Sequence, residues 1–316
     1  SEGNLLFYTN VESVFNALHE PLLNSEGITT PTGTTLGSSI TNGSLFVPWP
    51  GDSLERFYAV CLIDWTDGKL GISMIDRSLD GGWGGVVPTM KNFFESPVGL
   101  GEQIAAVRHG NGRDWWIVGR RKVGFNTRGF LAFLLTPNGI DTIIESPHIE
   151  ASSTLGELVF SQDGERVAYA GYTGLGSPWV GYYGFDRCGG SVVLLDSVSR
   201  LNNGDKYYGV AFNREGNKLY ASTEQTHSLY ELAIQAATLV SNLMFRVHLG
   251  GLTTGNQMGA LELGPDGLIY APMRIQGAIN VDTVYGYFLG AINPALPYNL
   301  AYDTFAVPLP DTPNST

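Results

Sequence analysis

Phe160-Ser161-Gln162-Asp163-Gly164-Glu165-Arg166-Val167-Ala168-Tyr169-Ala170 decides how this chain is read, because the same shape returns twice downstream. Phe212-Asn213-Arg214-Glu215-Gly216-Asn217-Lys218-Leu219-Tyr220-Ala221-Ser222 repeats it, and Leu263-Gly264-Pro265-Asp266-Gly267-Leu268-Ile269-Tyr270-Ala271 repeats it again. The turn glycines are spaced by about fifty residues, a period that marks repeat architectures. One period upstream of Gly164 stands Gly112, in His109-Gly110-Asn111-Gly112-Arg113-Asp114-Trp115-Trp116-Ile117-Val118. Two weaker copies precede it. Pro50-Gly51-Asp52 leads to Phe57-Tyr58-Ala59-Val60, and Glu2-Gly3-Asn4 leads to Leu5-Leu6-Phe7-Tyr8.

Asp-Gly, Asn-Gly and Glu-Gly supply the positive φ that tight hairpin turns require, and β-branched or aromatic residues fill the strand that follows. The apolar run before each turn, such as Leu158-Val159-Phe160, is a first strand. After the second strand come two more, Trp179 to Phe185 and Val192-Val193-Leu194-Leu195, separated by Asp186-Arg187-Cys188-Gly189-Gly190. Phe130 to Leu135, Pro137-Asn138-Gly139 and Thr142-Ile143-Ile144 repeat that layout. Four short antiparallel strands per period, with no helical periodicity between them, predict an all-β fold of the β-propeller kind. Residues 1–316 read as one domain, with repeats beginning near glycines 3, 51, 112, 164, 216 and 267, hence six blades, with seven allowed. A β-solenoid is the rival, but it would use shorter repeats and capping segments. Asp303-Thr304-Phe305-Ala306-Val307-Pro308-Leu309 is expected to close the ring.

Lys plus Arg number 18 against 30 Asp plus Glu, a formal net charge of −12, so the chain repels phosphate backbones and anionic membranes. Nucleic acid and membrane insertion are excluded as partners on that basis and because no apolar run approaches the ~20 residues that span a bilayer. Cys61 and Cys188 form no C-x-x-C pair. Cys61, inside Tyr58-Ala59-Val60-Cys61-Leu62-Ile63, reads as a small buried thiol.

The ordered segments Gly3-Asn4-Leu5-Leu6-Phe7-Tyr8-Thr9-Asn10, Ser44-Leu45-Phe46-Val47-Pro48-Trp49-Pro50-Gly51, Ser78-Leu79-Asp80-Gly81-Gly82-Trp83-Gly84, Ala106 to Trp116 and Phe185-Asp186-Arg187-Cys188-Gly189-Gly190 are spread over nearly the whole chain. Together they resemble the propeller region near the N-terminus of large secreted Bacteroidetes proteins, of the kind that often carry a C-terminal type IX secretion sorting domain. The resemblance implies an extracellular or cell-surface location and a binding or scaffolding role. It carries over no catalytic residue. Neither the usual entry segment nor a sorting domain is found in the sequence, so one domain of a longer polypeptide is expected.

No G-x-S-x-G elbow, Walker loop, H-E-x-x-H helix or helix-loop-helix calcium pattern occurs. The five histidines, at 19, 109, 148, 227 and 248, are too scattered to form a local metal set. Arg108, His109 and Asp114 beside a Trp pair are the leading ligand-binding candidates, weighed against service as ordinary turn residues around Asn111-Gly112. Trp83, among glycines, is the candidate for stacking on a sugar. His19-Glu20, Asp64 to Gly68, Asp76 and Asp80 place ionisable groups in loops, where carboxylates hold calcium or, more commonly, cap turns. The expected function is therefore a non-enzymatic extracellular module that contacts a protein or glycan, without catalytic residues, metal or cofactor. The alternatives are a calcium-dependent propeller hydrolase, lactonase-like, with acids lining a channel mouth, and a structural subunit of a surface assembly.

Overall fold

The computed structural model of the chain describes residues 5–9, 13–28, 42–62, 68–124, 126–147, 152–153, 155–171, 179–199, 206–223, 228–235, 237–246, 257–279, 282–297 and 301–308. Among these, every regular element is a strand apart from two three-residue 3-10 turns, Asp80–Gly82 and Pro88–Met90. Among the described residues no helix is long and apolar enough to cross a membrane. The chain forms two compact units, Ser1–Leu155 with Asp186–Val192, and Gly156–Phe185 with Val193–Thr316.

The first unit opens on a hairpin of β1 (Phe7–Thr9) and β2 (Val14–Asn16). Its first large sheet contains β3 (Ser44–Trp49), β4 (Asp52–Leu62), β5 (Leu70–Asp76), β6 (Gly85–Val86) and β7 (Phe94–Glu95), the last two both pairing with β5. Its second contains β8 (Leu100–Arg108), β9 (Trp115–Val123), β10 (Asn126–Thr136), β11 (Gly139–Ser146) and the short β12 (Ser152–Ser153). Val47, Tyr58, Val60 and Ile72 of one sheet and Ile117, Leu131 and Phe133 of the other share one core. Arg120 is also buried, on the opposite face of β9 from Ile117, its guanidinium 4.8 Å from the Phe130 ring centroid.

In the second unit, β13 (Glu157–Phe160), β14 (Arg166–Gly171), β15 (Trp179–Phe185) and β16 (Val192–Ser199) form one sheet, in that order. The next is β17 (Tyr207–Phe212), β18 (Lys218–Thr223), β19 (Ser228–Gln235) and β20 (Thr238–Arg246). The last has a first strand in two pieces, β21 (Gln257–Met258) and β22 (Glu262–Leu263), then β23 (Ile269–Ile279), β24 (Asp282–Ile292) and β25 (Tyr302–Pro308). Second strands are buried along their length, as Val167, Ala168, Tyr169 and Ala170 show, and Ala168 and Ala170 pack against Val210, Leu219 and Ala221 of the next sheet. Fourth strands face solvent: Val193, Leu194 and Leu195 of β16 are exposed.

All-β antiparallel sheets of this kind make the β-propeller expected from the repeat. The predicted first-to-second-strand turns fall where the period put them, with Gly112, Gly164, Gly216 and Gly267 at φ 73, 73, 68 and 86°. Each is flanked by a side chain that holds the turn, as when Asp163 Oδ1 accepts the Glu165 N–H at 3.0 Å and Asp266 Oδ1 accepts the Leu268 N–H at 3.1 Å.

Two expectations are corrected. The described residues form five blade sheets, not six or seven. Gly3 lies outside them, and the Leu5–Tyr8 copy forms only the β1–β2 hairpin, whose Phe7 and Val14 pack against Ala59 and Ile75 of the neighbouring sheet. That copy resembles a blade locally, but the strand after its turn finds a three-residue partner. The C-terminal run does not supply a first strand either. It is β25, paired along β24 as the outer strand of the fifth sheet. Cys61 is buried as expected, which pushes its thiol up to about 12, and Cys188 is exposed and also free.

Candidate functional site

The first strands of the second unit depart from regular pairing, and those departures build its most distinctive site. The β17–β18 register shifts between Tyr207 and Val210, and the first strand of the last sheet breaks across Gly259-Ala260-Leu261. A bulge releases backbone groups from the ladder, and buried groups so released need partners. The Gly209 N–H is taken by Ser222 Oγ at 3.0 Å, and that hydroxyl donates onward to Gly259 O at 2.9 Å. The Val210 N–H and the Leu261 N–H are both taken by one oxygen, Oε2 of Glu157, at 2.8 and 2.9 Å.

Glu157 opens β13 and is buried. Burial pushes its carboxyl up to about 8, against the two N–H donors that favour the anion; the charge of Glu262 pushes it further up. Gly209 lets the strands meet, since a Cβ there would lie 2.6 Å from both Gly259 O and Ser222 Oγ. Gly209→Ala is expected to lower stability by about 1–3 kcal/mol through overpacking. A thermal melt superposable on the wild type would contradict that.

Directly after these pinned positions the same segments line a cleft of about 510 Å³, with Phe160, Gln162, Phe212, Arg214, Glu262 and Pro265 among its walls. Its lining mixes apolar side chains such as Phe160 and Phe212 with the polar Gln162, Arg214 and Glu262, a make-up that suits a small-molecule site. Arg214 donates one N–H to Pro265 O at 2.6 Å. Glu262, on β22, is exposed at the cleft, and its partial desolvation there shifts its carboxyl upward. A guanidinium and a carboxylate of raised basicity on one cleft can bind an anionic or carbonyl group and move a proton. A neighbouring cleft of about 490 Å³ includes Lys218 and Asn213. Those groups are engaged within the protein: Lys218 Nζ lies 3.1 Å from Glu231 Oε2 and donates to Pro294 O, and Asn213 donates to Glu215 and Asn217.

The structure brings Arg108, His109 and Asp114 together, but around their own turn. Asp114 accepts from Arg113 and Asn111, and the Arg113 guanidinium holds its carboxyl below the usual range. His109 Nδ1 accepts the Asn111 N–H at 2.9 Å, and its Nε2 lies 3.1 Å from Cys188 O. The guanidinium of Arg108 lies 4.1 Å from the Trp115 ring centroid and donates to Arg113 O. Trp83 stands on a different element, the segment between β5 and β6, about half exposed beside Gly81, Gly82 and Gly84 at positive φ. Of the loop carboxylates, Asp76 accepts from the Ser78 N–H and O–H. His19 meets Tyr8. Residues 64–67 and His148, His227 and His248 lie outside the described residues.

Among the described residues no three His, Cys, Asp or Glu side chains converge as a metal site.

No protein-family model and no curated protein matches the chain. Solved structures do. A protein of Bacteroides uniformis named provisionally as a 6-phosphogluconolactonase is 17% identical, with a TM-score of 0.52 over 92% of this chain and 78% of that one. A Bacteroides fragilis protein of the same provisional name gives 15%, 0.53, 95% and 79%. The periplasmic gluconolactonase of Pseudomonas aeruginosa gives 12%, 0.50, 92% and 78%. At these identities the likeness establishes the fold. The expectation of a non-enzymatic binding or scaffold module is corrected to this extent: these neighbours are named as lactonases, not as binding modules.

Proposed function

We propose that the chain is an extracytoplasmic hydrolase that opens the ring of a sugar-acid lactone in the cleft of its second unit. The observation that carries this reading is the presence of a carboxylate, Glu262, and a guanidinium, Arg214, on the lining of one cleft. The names of the structural neighbours support the lactone, and the periplasmic setting of one of them supports the location.

In the proposed reaction the Glu262 carboxylate accepts a proton from water as the water oxygen bonds to the lactone carbonyl carbon. The guanidinium of Arg214 faces negative charge, on the carbonyl oxygen as it becomes an oxyanion or on a substrate phosphate. Collapse of the tetrahedral intermediate breaks the ring C–O bond, and the proton returns from Glu262 to the departing ring oxygen. Water has been added across the ester and Glu262 is again a carboxylate.

Hydrogen exchange with 6-phosphogluconate, the ring-opened product, tests the location. Added product is expected to slow exchange at residues 211–214 and 261–264, and Arg214→Ala to weaken its binding by about tenfold or more, the scale of a lost charge-assisted hydrogen bond. Protection confined to other sheets, or unchanged affinity in Arg214→Ala, would count against this site.

A further inference from the structure

Glu157 touches no cleft group that the proposed reaction uses, yet it is buried, ionisable and joined to both segments that supply those groups. Its place is set locally. Gly156, immediately before it, has φ +114° and passes so close to β14 that a Cβ would lie 1.9 Å from Ala170 O. Glu157 then pairs with Ala170, which sends its side chain toward two neighbouring first strands, each interrupted.

We propose that Glu157 is the positioning residue of the cleft: one carboxyl oxygen accepts an N–H beside each of the two strand interruptions and so fixes the segments that carry Arg214 and Glu262. Val210 begins the run Val210-Ala211-Phe212-Asn213-Arg214, and Leu261 is the residue before Glu262. Both carriers of function therefore extend from a point held by the same atom. Val210 resumes the β18 ladder opposite Ala221 just past the register shift, and Leu261 stands in the gap between the two pieces of its strand, so the Glu157 oxygen joins two points where ladder pairing is interrupted or has only just resumed. Ser222 and Gly209 complete the junction from the other side, through Gly259 O.

The carboxyl group serves as an acceptor here, so an amide of equal reach should serve in its place. At neutral pH the group is mostly the uncharged acid, which still offers an accepting oxygen.

The test compares Glu157→Ala, Glu157→Gln and Glu157→Asp with the wild type by amide-resolved hydrogen exchange and by lactone kinetics. Only the kinetic arm rests on the hydrolase reading. In Glu157→Ala the Val210 and Leu261 amides are expected to exchange about tenfold faster or more, the scale of a lost buried acceptor. kcat/KM falls with them, and Glu157→Gln recovers most of both losses. Should Glu157→Ala fail to fold, Glu157→Asp carries the test, its shorter reach giving faster exchange at the same two amides than in Glu157→Gln. Unchanged exchange at those amides in Ala or Asp, or exchange in Gln as fast as in Ala, overturns the proposal. If even the wild type opens no lactone, the hydrolase reading fails, while the exchange data still decide the role of Glu157.

Discussion

Replacing Glu262 by Gln is expected to lower kcat for lactone opening by about 10²–10⁴-fold, the usual contribution of a general base. The change keeps the shape of the side chain and removes its ability to take a proton from water. Binding of 6-phosphogluconate should change little, which separates this variant from Arg214→Ala, whose loss falls on affinity. The pH dependence gives a second reading of the same residue. Desolvation raises Glu262 above the ordinary value of 4.5, so the acid limb of the wild-type rate profile should lie above that value and be missing from the residual activity of Glu262→Gln. Wild-type kcat in the Gln variant would remove Glu262 from the mechanism.

The second large effect concerns stability. The folded chain holds the Glu157 proton up to about pH 8, whereas the unfolded carboxyl releases it near 4.5. Between those values the folded state binds more protons than the unfolded one, so stability falls as pH rises. The contribution is complete below about 4.5, declines through the window and is lost above about 8. At roughly 1.4 kcal/mol per pKa unit it amounts to at most about 5 kcal/mol. Asp114, held low by Arg113, acts in the opposite sense and below this window. Glu157→Gln is uncharged at every pH, so its melting temperature should approach and then overtake that of the wild type between pH 5 and 9. Parallel curves for the two proteins would show that Glu157 carries no such shift.

The blade turns were legible because a residue pair such as Asp163-Gly164 answers a local demand. The positive φ at Gly164 and the Asp163 bond to the Glu165 N–H are settled within a few residues. Blade number was not local in the same way. Glu2 to Tyr8 offers the same turn signal and apolar run as a true blade, and only pairing across space shows that Phe7 and Tyr8 end in a hairpin. The site was hidden more deeply. Glu157, Arg214 and Glu262 belong to three different repeats, and each stands in a stretch that reads as an ordinary strand or turn. What joins them is a pair of strand interruptions whose only trace in the sequence is Gly209 and Gly259, glycines where a strand would favour a branched or aromatic residue. The turn candidates Arg108, His109 and Asp114 drew notice because their charges are adjacent in sequence. That adjacency also lets them satisfy one another.

The most direct test is the initial rate at which the purified protein opens gluconolactone and its 6-phosphorylated form, followed by proton release against the buffer rate at the same pH. The account predicts a rate proportional to protein concentration and well above buffer. A rate equal to that of buffer for both lactones would contradict it.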